Sequence, residues 1–467
     1  MEKTQGQILE EELFMNRKHA SEILSEEETK TADAFCEDYK KFLDNSKTER
    51  EAVSTTIELL KEKGFEEFVP GTKYAPGSKI YMNNRGKSLV FSIVGKKSLA
   101  EGARILASHI DSPRLDLKPN PVYESSEIAF FKTHYYGGIR KYQWPTIPLA
   151  LHGVVVKKNG ESVKVRIGDE LDEPIFYISD LLPHLGRTQG QRTLDGGIKG
   201  EELNVLIGSR QFKDDKASQK VKLNVLDILN KKYGFVESDF LSAELSLVPA
   251  SNARDLGFDR SMIAAYGHDD RVCAYTSIRA ALDEANENPE YTWINILADK
   301  EEIGSTGATG MQARYLEYFV ADLAKPYGIE ARTVFQHSKC LSADVSAAFD
   351  PTFPDVSELN NVSFLNKGVV LIKYTGAGGK SGTNDASAEY MQFCRNYLDN
   401  ANVVWQTGEL GKVDQGGGGT VARFIGELCV DTVDLGVPVI SMHAPIEVVS
   451  KFDVYETYRA FSEFIRA

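Results

Sequence analysis

Short apolar runs alternate with amphipathic stretches along most of the chain, and this rhythm constrains the fold more than any other feature. Five runs rich in β-branched residues and leucine are typical of buried strands: SLVFSIVG, ARILASHID, WINILA, GVVLIK and VPVIS. The stretch DDRVCAYTSIRAALDE places Val272, Tyr275, Ile278 and Leu282 on one helical face. Strands that alternate with helices predict an α/β sheet with helices on both faces.

The middle third of the chain has a different pattern. Two β-rich runs, 154–156 and 163–167, flank Asn159-Gly160, a pair that favours a tight hairpin turn. The length of 467 residues is also too great for one simple core. We therefore predict a discontinuous α/β domain over residues 1–120 and 256–467, and an inserted, strand-rich domain over residues 121–255.

The N-terminal segment is predicted to be helical. Ser25 with Glu28, and Ser46 with Glu49, each fit a capping box, in which side chains satisfy the free N–H groups at the start of a helix. Gly64 stands where a glycine commonly ends a helix.

Composition excludes several classes of function. The chain has 54 basic and 68 acidic residues, a formal net charge of −14, so no nucleic acid partner is expected, because phosphate binding needs a basic surface. Five widely spaced cysteines without a C-x-x-C argue against a disulfide framework and a cysteine zinc site. No apolar run approaches the roughly 20 residues that span a bilayer, and MEKTQGQILEEELF lacks the apolar core of a signal peptide. We predict a cytoplasmic protein without membrane association.

Five short motifs carry acids or histidines where predicted strands end or a helix begins. Strand ends are where open α/β sheets place their ligand sites. In Ser108-His109-Ile110-Asp111, the side chains of His109 and Asp111 point to the same side of a strand. A carboxylate beside an imidazole is the usual partner that orients a metal-binding histidine. The alternative interpretation is a structural histidine at a strand end.

Adjacent acids mark two further motifs. Asp269-Asp270 opens a predicted helix, where one carboxylate could bridge two cations or act only as an acidic N-cap. Glu301-Glu302 follows a buried strand, so one acid could bind a metal while the other accepts a proton from metal-activated water. A solvated acidic turn is the alternative for this pair. The last two motifs contribute one residue each, Asp344 and His443.

Together these motifs offer only nitrogen and oxygen ligands. Imidazole and carboxylate without thiolate suit zinc, manganese or cobalt. A pair of such ions lowers the pKa of a shared water, polarises a carbonyl and stabilises a tetrahedral oxyanion. The pattern therefore favours a hydrolase with two divalent metal ions.

The same motifs, in this order, resemble the aspartyl aminopeptidase and vacuolar aminopeptidase I family of dizinc exopeptidases. The resemblance covers nearly the whole chain and rests on ASHIDSPRLDLKP, HDDRVCAYTS, DKEEIGSTGATG, LSADVSAAFDP and VISMHAPIEVVS. It implies a metallo-aminopeptidase that removes the first residue of short peptides through a metal-bridged water. It also implies a mixed-sheet zinc exopeptidase domain interrupted by a β-rich dimerisation domain, with dimers that assemble into a tetrahedral dodecamer.

The resemblance assigns roles to individual residues. Two sets of ligands would hold the metals: His109, Asp269 and Asp344 for one, and Asp269, Glu302 and His443 for the other. Asp269 would bridge them, Glu301 would be the general base, and Asp111 would orient His109.

Two further residues have roles by resemblance alone. PTIPLALHG matches the segment from which family members place a histidine in the neighbouring subunit's active site, so His152 is the candidate. Lys373 matches the family lysine that meets an acidic substrate side chain, which predicts a preference for acidic N-terminal residues.

The chain departs from the family pattern in two places. Many members carry Asp-Asn where this chain has Asp269-Asp270, and they lack its insert TGAGGKSGT, which bears on the substrate pocket and hence on the side-chain preference. The segment YTGAGGKS also raises the possibility of nucleotide binding, but Tyr374 stands where a P-loop requires glycine. A dizinc amidase or deacylase would share the same metal motifs, and so would a non-catalytic scaffold of the same fold.

Overall fold

A computed structural model describes residues 3–15 and 18–467 of the chain and contains three β-sheets. Strands and helices are numbered in chain order. The largest sheet has nine strands, in the spatial order β1 (Glu66–Glu67), β2 (Lys79–Asn84), β3 (Ser88–Ile93), β14 (Thr292–Ala298), β4 (Ala103–His109), β15 (Lys339–Ser342), β19 (Asp431–Gly436), β17 (Val369–Ile372) and β18 (Trp405–Thr407).

The nine-stranded sheet is mixed. Strand β4 pairs in parallel with β14 and β15, and β15 pairs in parallel with β19. Strands β3 and β17 pair antiparallel with β14 and β19. Strands β3, β4 and β14 are buried along their whole length, which explains why each appears as a continuous apolar run instead of an alternating one.

Helices cover both faces of this sheet, which confirms the predicted α/β class. The α-helices are α1 (Gln5–Leu13), α2 (Glu26–Asn45), α3 (Glu49–Glu62), α4 (Lys220–Tyr233), α5 (His268–Glu284), α6 (Tyr315–Ala324), α7 (Ala331–Gln336), α8 (Ala388–Asn400), α9 (Ala422–Gly426) and α10 (Lys451–Arg466). Helices α2, α3, α5, α8 and α10 share a core with Leu106 of β4, whereas α6, α7 and α9 share another with Ile105 and Ala107. Adjacent residues of one strand therefore point into different cores.

The second sheet is antiparallel and has its own core. Its seven strands are β8 (Ser162–Ile167), β7 (Leu149–Val156), β11 (Ala243–Pro249), β5 (Arg114–Ser125), β6 (Ile128–Tyr136), β10 (Val205–Gly208) and β9 (Tyr177–Ile178). Strands β7 and β8 form the hairpin around Asn159-Gly160. Trp144, Phe131 and Leu247 are among the buried residues beneath this sheet. The exact limits of an inserted domain, 121–255, stay a prediction.

The third sheet has five strands. Its strands are β12 (Arg254–Leu256), β13 (Met262–Ala265), β21 (Glu447–Ser450), β20 (Pro438–Ile440) and β16 (Ser346–Ala347). None of the helices in the described ranges combines the length and apolar character needed to cross a membrane. The five cysteines are unpaired, and the cytoplasmic location stays a prediction.

The start of α3 differs from the prediction. Ser25 and Glu28 form the expected capping box, but the second box consists of Thr48 and Glu51 instead of Ser46 and Glu49. The helix begins at Glu49. Because Thr48 and Glu51 form the capping box, the Glu49 carboxylate takes no part in it and can pair with another residue. It accepts a hydrogen bond of 2.7 Å from Arg114 of β5 and thereby joins α3, which packs on the nine-stranded sheet, to the seven-stranded sheet.

The Arg114–Glu49 pair is buried at this junction. Burial alone would raise the pKa of Glu49, but Arg114 and Lys87 outweigh it and hold the pKa at about 2. Because that value lies below the ordinary pKa of 4.5, the pair stabilises the fold fully above pH 4.5 and loses this contribution as the pH falls through about 2.

We predict that Arg114→Met lowers the stability by about 3–5 kcal/mol, because it leaves a buried carboxylate without a partner. Thermal unfolding at pH 7 measures the effect. Arg332→Met is the matched control, since Arg332 makes an equally close but exposed pair with Glu330, which should contribute at most about 1 kcal/mol. Equal shifts in the two variants would contradict the prediction, as would a Glu49→Gln/Arg114→Met double variant that recovers nothing.

Candidate metal centre

The acid and histidine motifs meet at one edge of the nine-stranded sheet. His109 is the last residue of β4, Glu301 and Glu302 follow β14, and Asp344 follows β15. Because β14, β4 and β15 are parallel neighbours, their carboxyl ends lie side by side, which is where such sheets bind ligands. Asp269, at the start of α5, completes this edge. His443 reaches it from the turn after β20.

Two groups of donor atoms form there and share Asp269. His109, Asp269 and Asp344 make one group, and Asp269, Glu302 and His443 make the other; within each group the donor atoms lie within 4.8 Å of one another. Asp269 Oδ1 is 3.1 Å from His109 Nε2, and Asp269 Oδ2 is 3.2 Å from His443 Nε2. One carboxylate thus offers an oxygen to each group, which is the geometry of a bridging ligand.

Both imidazoles present the nitrogen that a metal requires. His109 Nδ1 lies 3.0 Å from the carbonyl oxygen of Asp111, and His443 Nδ1 lies 3.0 Å from that of Gly138. A carbonyl only accepts hydrogen bonds, so each Nδ1 carries the proton. Each Nε2 therefore points toward the shared carboxylate and is the ring nitrogen left to bind a metal, and this is how partner groups fix the tautomer of metal-binding histidines.

The charge balance of the cluster fits bound cations. Burial raises the pKa of Glu302 and Asp344 well above the usual range, and the charge of a neighbouring Asp raises it further. Burial would lower the pKa of His443, yet Asp269 and Glu302 raise it to about 10. Within the described residues, Asp269 Oδ1 and Glu302 Oε1 are buried without a hydrogen-bond partner. Such atoms are rare unless they bind an ion or water, so the residues present suit divalent metal ions.

Glu301 lies next to both donor groups but belongs to neither. Its Oε2 is 4.0 Å from His109 Nε2, and its side chain lines the same cavity as the ligands. Burial raises the pKa of Glu301 to about 7; the positive charge of His109 opposes this, and the charges of Asp111 and Asp269 add to it. A carboxylate with this pKa can exchange a proton near neutral pH.

Asp111 holds the first histidine and the glutamate turn in place. Its fully buried carboxylate accepts hydrogen bonds from the backbone N–H groups of Glu301, at 3.1 Å, and Glu302, at 3.2 Å. Its Oδ1 lies 3.3 Å from His109 Nδ1, and Tyr136 donates a 2.8 Å hydrogen bond to Oδ2. Asp111 therefore contacts no metal position directly but orients residues of both groups.

The cavity beside the metal groups has a volume of about 510 Å³. Apart from the acids and histidines, its lining is mainly apolar, with one cationic side chain, Arg423. The main apolar residues are Val345, Ile372, Leu410, Phe424 and Met442. Lys373 follows Ile372 but does not line this cavity, because its ammonium group pairs with Asp385.

His152 is also away from the donor groups of its own chain. It lies on β7 and is fully buried, with Nδ1 2.9 Å from Glu51 and Nε2 3.1 Å from Asp169. To enter a neighbouring subunit's site, the ring would have to leave both carboxylates. The intersubunit role of His152 stays a prediction.

Sequence reasoning missed Glu447, which holds two of the ligands. Its Oε2 accepts a 3.0 Å hydrogen bond from the backbone N–H of Asp269, and its Oε1 accepts a 2.7 Å bond from that of His443. Glu447 is buried in the short apolar strand β21. A single acid inside the run IEVVS, four residues after His443, was the signal that could have revealed it.

The glycine-rich insert does not form a phosphate-binding loop. Lys380, the residue that a P-loop would use, pairs with Asp385 at 3.0 Å and lies 3.7 Å from the centre of the Tyr374 ring. The next helix, α8, begins only at Ala388. The insert instead borders the cavity through Thr375 and Gly382.

The mixed sheet gathers histidine and carboxylate donors beside a cavity at its carboxyl edge. This arrangement places the protein in the class of metal-dependent hydrolases. A family model described as "Aminopeptidase I zinc metalloprotease (M18)" matches residues 42–465. The chain belongs to this family and is an M18 aminopeptidase, so the resemblance seen in its motifs is confirmed.

Individual relatives agree with this assignment. A "Probable M18 family aminopeptidase 1" from Clostridium acetobutylicum is 48% identical, with 97% of this chain and 99% of the relative covered. The crystal structure of the M18 aminopeptidase from Thermotoga maritima matches with a TM-score of 0.92 at 43% identity, covering 97% of this chain and 100% of that one. The more distant S. cerevisiae mApe1 dodecamer matches with a TM-score of 0.75 at 21% identity, covering 93% and 96%, and shows the shared fold alone.

We predict that Asp269→Ala loses both metals, whereas His443→Ala mainly loses one, because only Asp269 contributes to both groups. Elemental analysis of the purified variants measures the bound metal. Asp38→Ala, at an exposed acid on α2, is the control and should match the wild type. Two full equivalents of metal in Asp269→Ala would exclude a bridging role.

Proposed function

We propose that this M18 aminopeptidase binds two zinc ions and removes unblocked N-terminal residues from short peptides, with Glu301 as the general base. The observation that carries the proposal is the pair of donor groups that share Asp269, with Glu301 outside both but in the same cavity. When bound, the two ions lower the pKa of a water between them and polarise the scissile carbonyl.

The residues of the chain then have distinct tasks. His109, Asp344, Glu302 and His443 would hold the ions, and Asp269 would contribute an oxygen to each group. The Glu301 carboxylate accepts a proton from the attacking water at Oε2 and returns it to the amine that leaves. A carboxylate that lines the cavity but belongs to neither donor group is placed for both transfers.

We predict that Glu301→Gln keeps both metals but lowers kcat by roughly 10²–10⁴-fold, because it removes the proton acceptor without removing a ligand. The matched control is Glu302→Gln, the same change one residue later, which should lose metal as well as activity. Zinc content and steady-state kinetics on an aminoacyl arylamide distinguish the two. Near-normal kcat in Glu301→Gln would refute its role as the base.

A preference for acidic N-terminal residues is the finer part of the proposal. Lys373, the residue that suggested it, pairs with Asp385 outside the cavity. Arg423 supplies a cation on the cavity wall itself, where it also pairs with Glu427 at 3.1 Å. A substrate carboxylate could exchange with Glu427 on the Arg423 guanidinium, so Arg423 is the better placed of the two cations.

We predict faster cleavage of aspartyl and glutamyl than of leucyl arylamides. Arg423→Met should lower kcat/KM for the acidic substrates by about 10–100-fold and leave the leucyl value nearly unchanged, since a hydrogen bond between charged groups is worth about 1.5–3 kcal/mol. Lys373→Met serves as the comparison. If the wild type prefers leucyl substrates, the acidic preference is wrong while the aminopeptidase proposal remains. Cleavage of N-acyl substrates instead of free aminoacyl ones would favour an amidase or deacylase.

We also propose that the enzyme is a homo-oligomer built through the seven-stranded sheet, with a dodecamer as the assembly. A distant relative of the same fold is described as a dodecamer. Six large apolar side chains are exposed between residues 171 and 194, close together in the sequence: Leu171, Ile175, Leu181, Leu182, Leu185 and Leu194. Exposed apolar residues in such numbers favour a protein interface.

A further inference from the structure

The seven-stranded sheet meets the metal centre at the open end of one hairpin. The chain leaves the first ligand region at Asp111 and enters β5 at Arg114. It returns along β6, whose last residue, Tyr136, pairs in register with Arg114. Residues 136–138 therefore lie beside the metal ligands of their own chain, although they are distant from most of them in sequence.

Tyr136 contacts the half of the site that contains His109. Its hydroxyl group donates a 2.8 Å hydrogen bond to Asp111, the residue that holds His109 and the turn of Glu301 and Glu302. Burial and the charge of Asp111 raise the pKa of Tyr136 well above its usual range, so the hydroxyl stays a donor. The Arg114 guanidinium lies 4.2 Å from the ring centre and holds the ring in place.

Gly138 contacts the other half. Its carbonyl oxygen accepts the hydrogen bond from His443 Nδ1 that leaves Nε2 free for a metal. A Cβ atom at Gly138 would lie 3.3 Å from His443 Nδ1, closer than most such contacts. A Cβ atom at Gly137, whose φ is +75°, would lie 3.3 Å from Glu302 Oε2. Any side chain in this pair would therefore press on a proposed ligand.

We propose that the segment Tyr136-Gly137-Gly138 positions both metal groups, with Tyr136 acting through Asp111 on His109 and Gly138 acting directly on His443. This inference rests on the proposed two-metal function. It makes the seven-stranded sheet part of the metal centre of its own subunit, in addition to any role in assembly. Neither Tyr136 nor Gly138 is a catalytic residue, since each acts through another side chain.

The first test is Tyr136→Phe, which removes only the hydroxyl group. Loss of a group that orients a metal ligand typically weakens metal binding about 10–100-fold. We expect a loss of this size in the affinity for the ion that His109 holds, a smaller loss at the other ion through the turn of Glu302, a lower kcat and an unchanged KM. Tyr135→Phe is the matched control: the same change at the preceding residue of β6, whose side chain is 41% exposed. It should match the wild type.

The second test is Gly138→Ala, which keeps the carbonyl but displaces the ring of His443. It should weaken chiefly the binding of the ion that His443 holds. Chelator competition with the full-length assembled enzyme measures both zinc affinities, and the visible spectrum of the cobalt-substituted enzyme reports the changed ligand geometry. Thermal unfolding of the metal-free proteins shows whether a variant is only destabilised.

The possible outcomes separate this inference from the proposed function. If both variants bind two zinc ions as tightly as the wild type, with the same cobalt spectrum, the positioning role is wrong and the aminopeptidase proposal stands. The positioning role would also be wrong if each variant bound both ions equally weakly and its metal-free form unfolded at a lower temperature. That result would indicate general destabilisation. A wild type without two zinc sites refutes the proposed function, and this inference with it.

Discussion

The carboxylate of Asp269, with one oxygen toward each of two histidines, is the contact on which the rest of this site depends. Few side chains could occupy that point, because it requires two acceptor oxygens about 3 Å from two imidazole nitrogens. Neighbouring side chains fix the backbone of Asp269. Glu447 accepts a hydrogen bond from the Asp269 N–H, and the Ser112 hydroxyl donates a 2.5 Å bond to the Asp269 carbonyl oxygen. The position of the bridge is thus set by groups that would not touch a metal.

A second constraint is electrostatic. The site buries several acids within a few ångströms, and removing charges from water costs several kcal/mol for each ion. Burial, together with neighbouring acid charges that the histidines only partly offset, raises the pKa of Glu302 and that of Asp344. Asp270 is buried as well, and burial together with the charge of Asp269 raises its pKa well above the usual range. Divalent cations relieve this imbalance, so metal binding and the stability of the folded site are coupled.

The contacts of Arg114 connect helix α3 and the seven-stranded sheet to the residues around the candidate metal centre. Arg114 pairs with Glu49 on one side and lies over the ring of Tyr136 on the other, and Tyr136 donates to Asp111. A continuous chain of contacts therefore runs from the start of α3, through the seven-stranded sheet, to the ligands. Both strands of the first hairpin of that sheet, β5 and β6, are thus tied to the candidate metal centre.

The sequence by itself determined the features that depend on local periodicity. Continuous apolar runs identified β3, β4 and β14, because strands buried on both faces cannot alternate in polarity. Acids and histidines just after such runs marked candidate donor residues, because the carboxyl ends of parallel strands meet at one edge. The predicted α/β class followed from these patterns and the family from the resemblance of the motifs, and both are confirmed.

Only the tertiary structure decided which side chains were already engaged. Lys373 pairs with Asp385, and His152 lies between Glu51 and Asp169; no short-range pattern encodes these partners. The N-cap of α3 is Thr48 and not the predicted Ser46, so the Glu49 carboxylate is available to pair with Arg114. Gly138 acts through a backbone carbonyl, a group that every residue possesses, on a histidine 305 positions later. Such roles depend on which segments are neighbours in the folded protein, so residue type alone cannot reveal them.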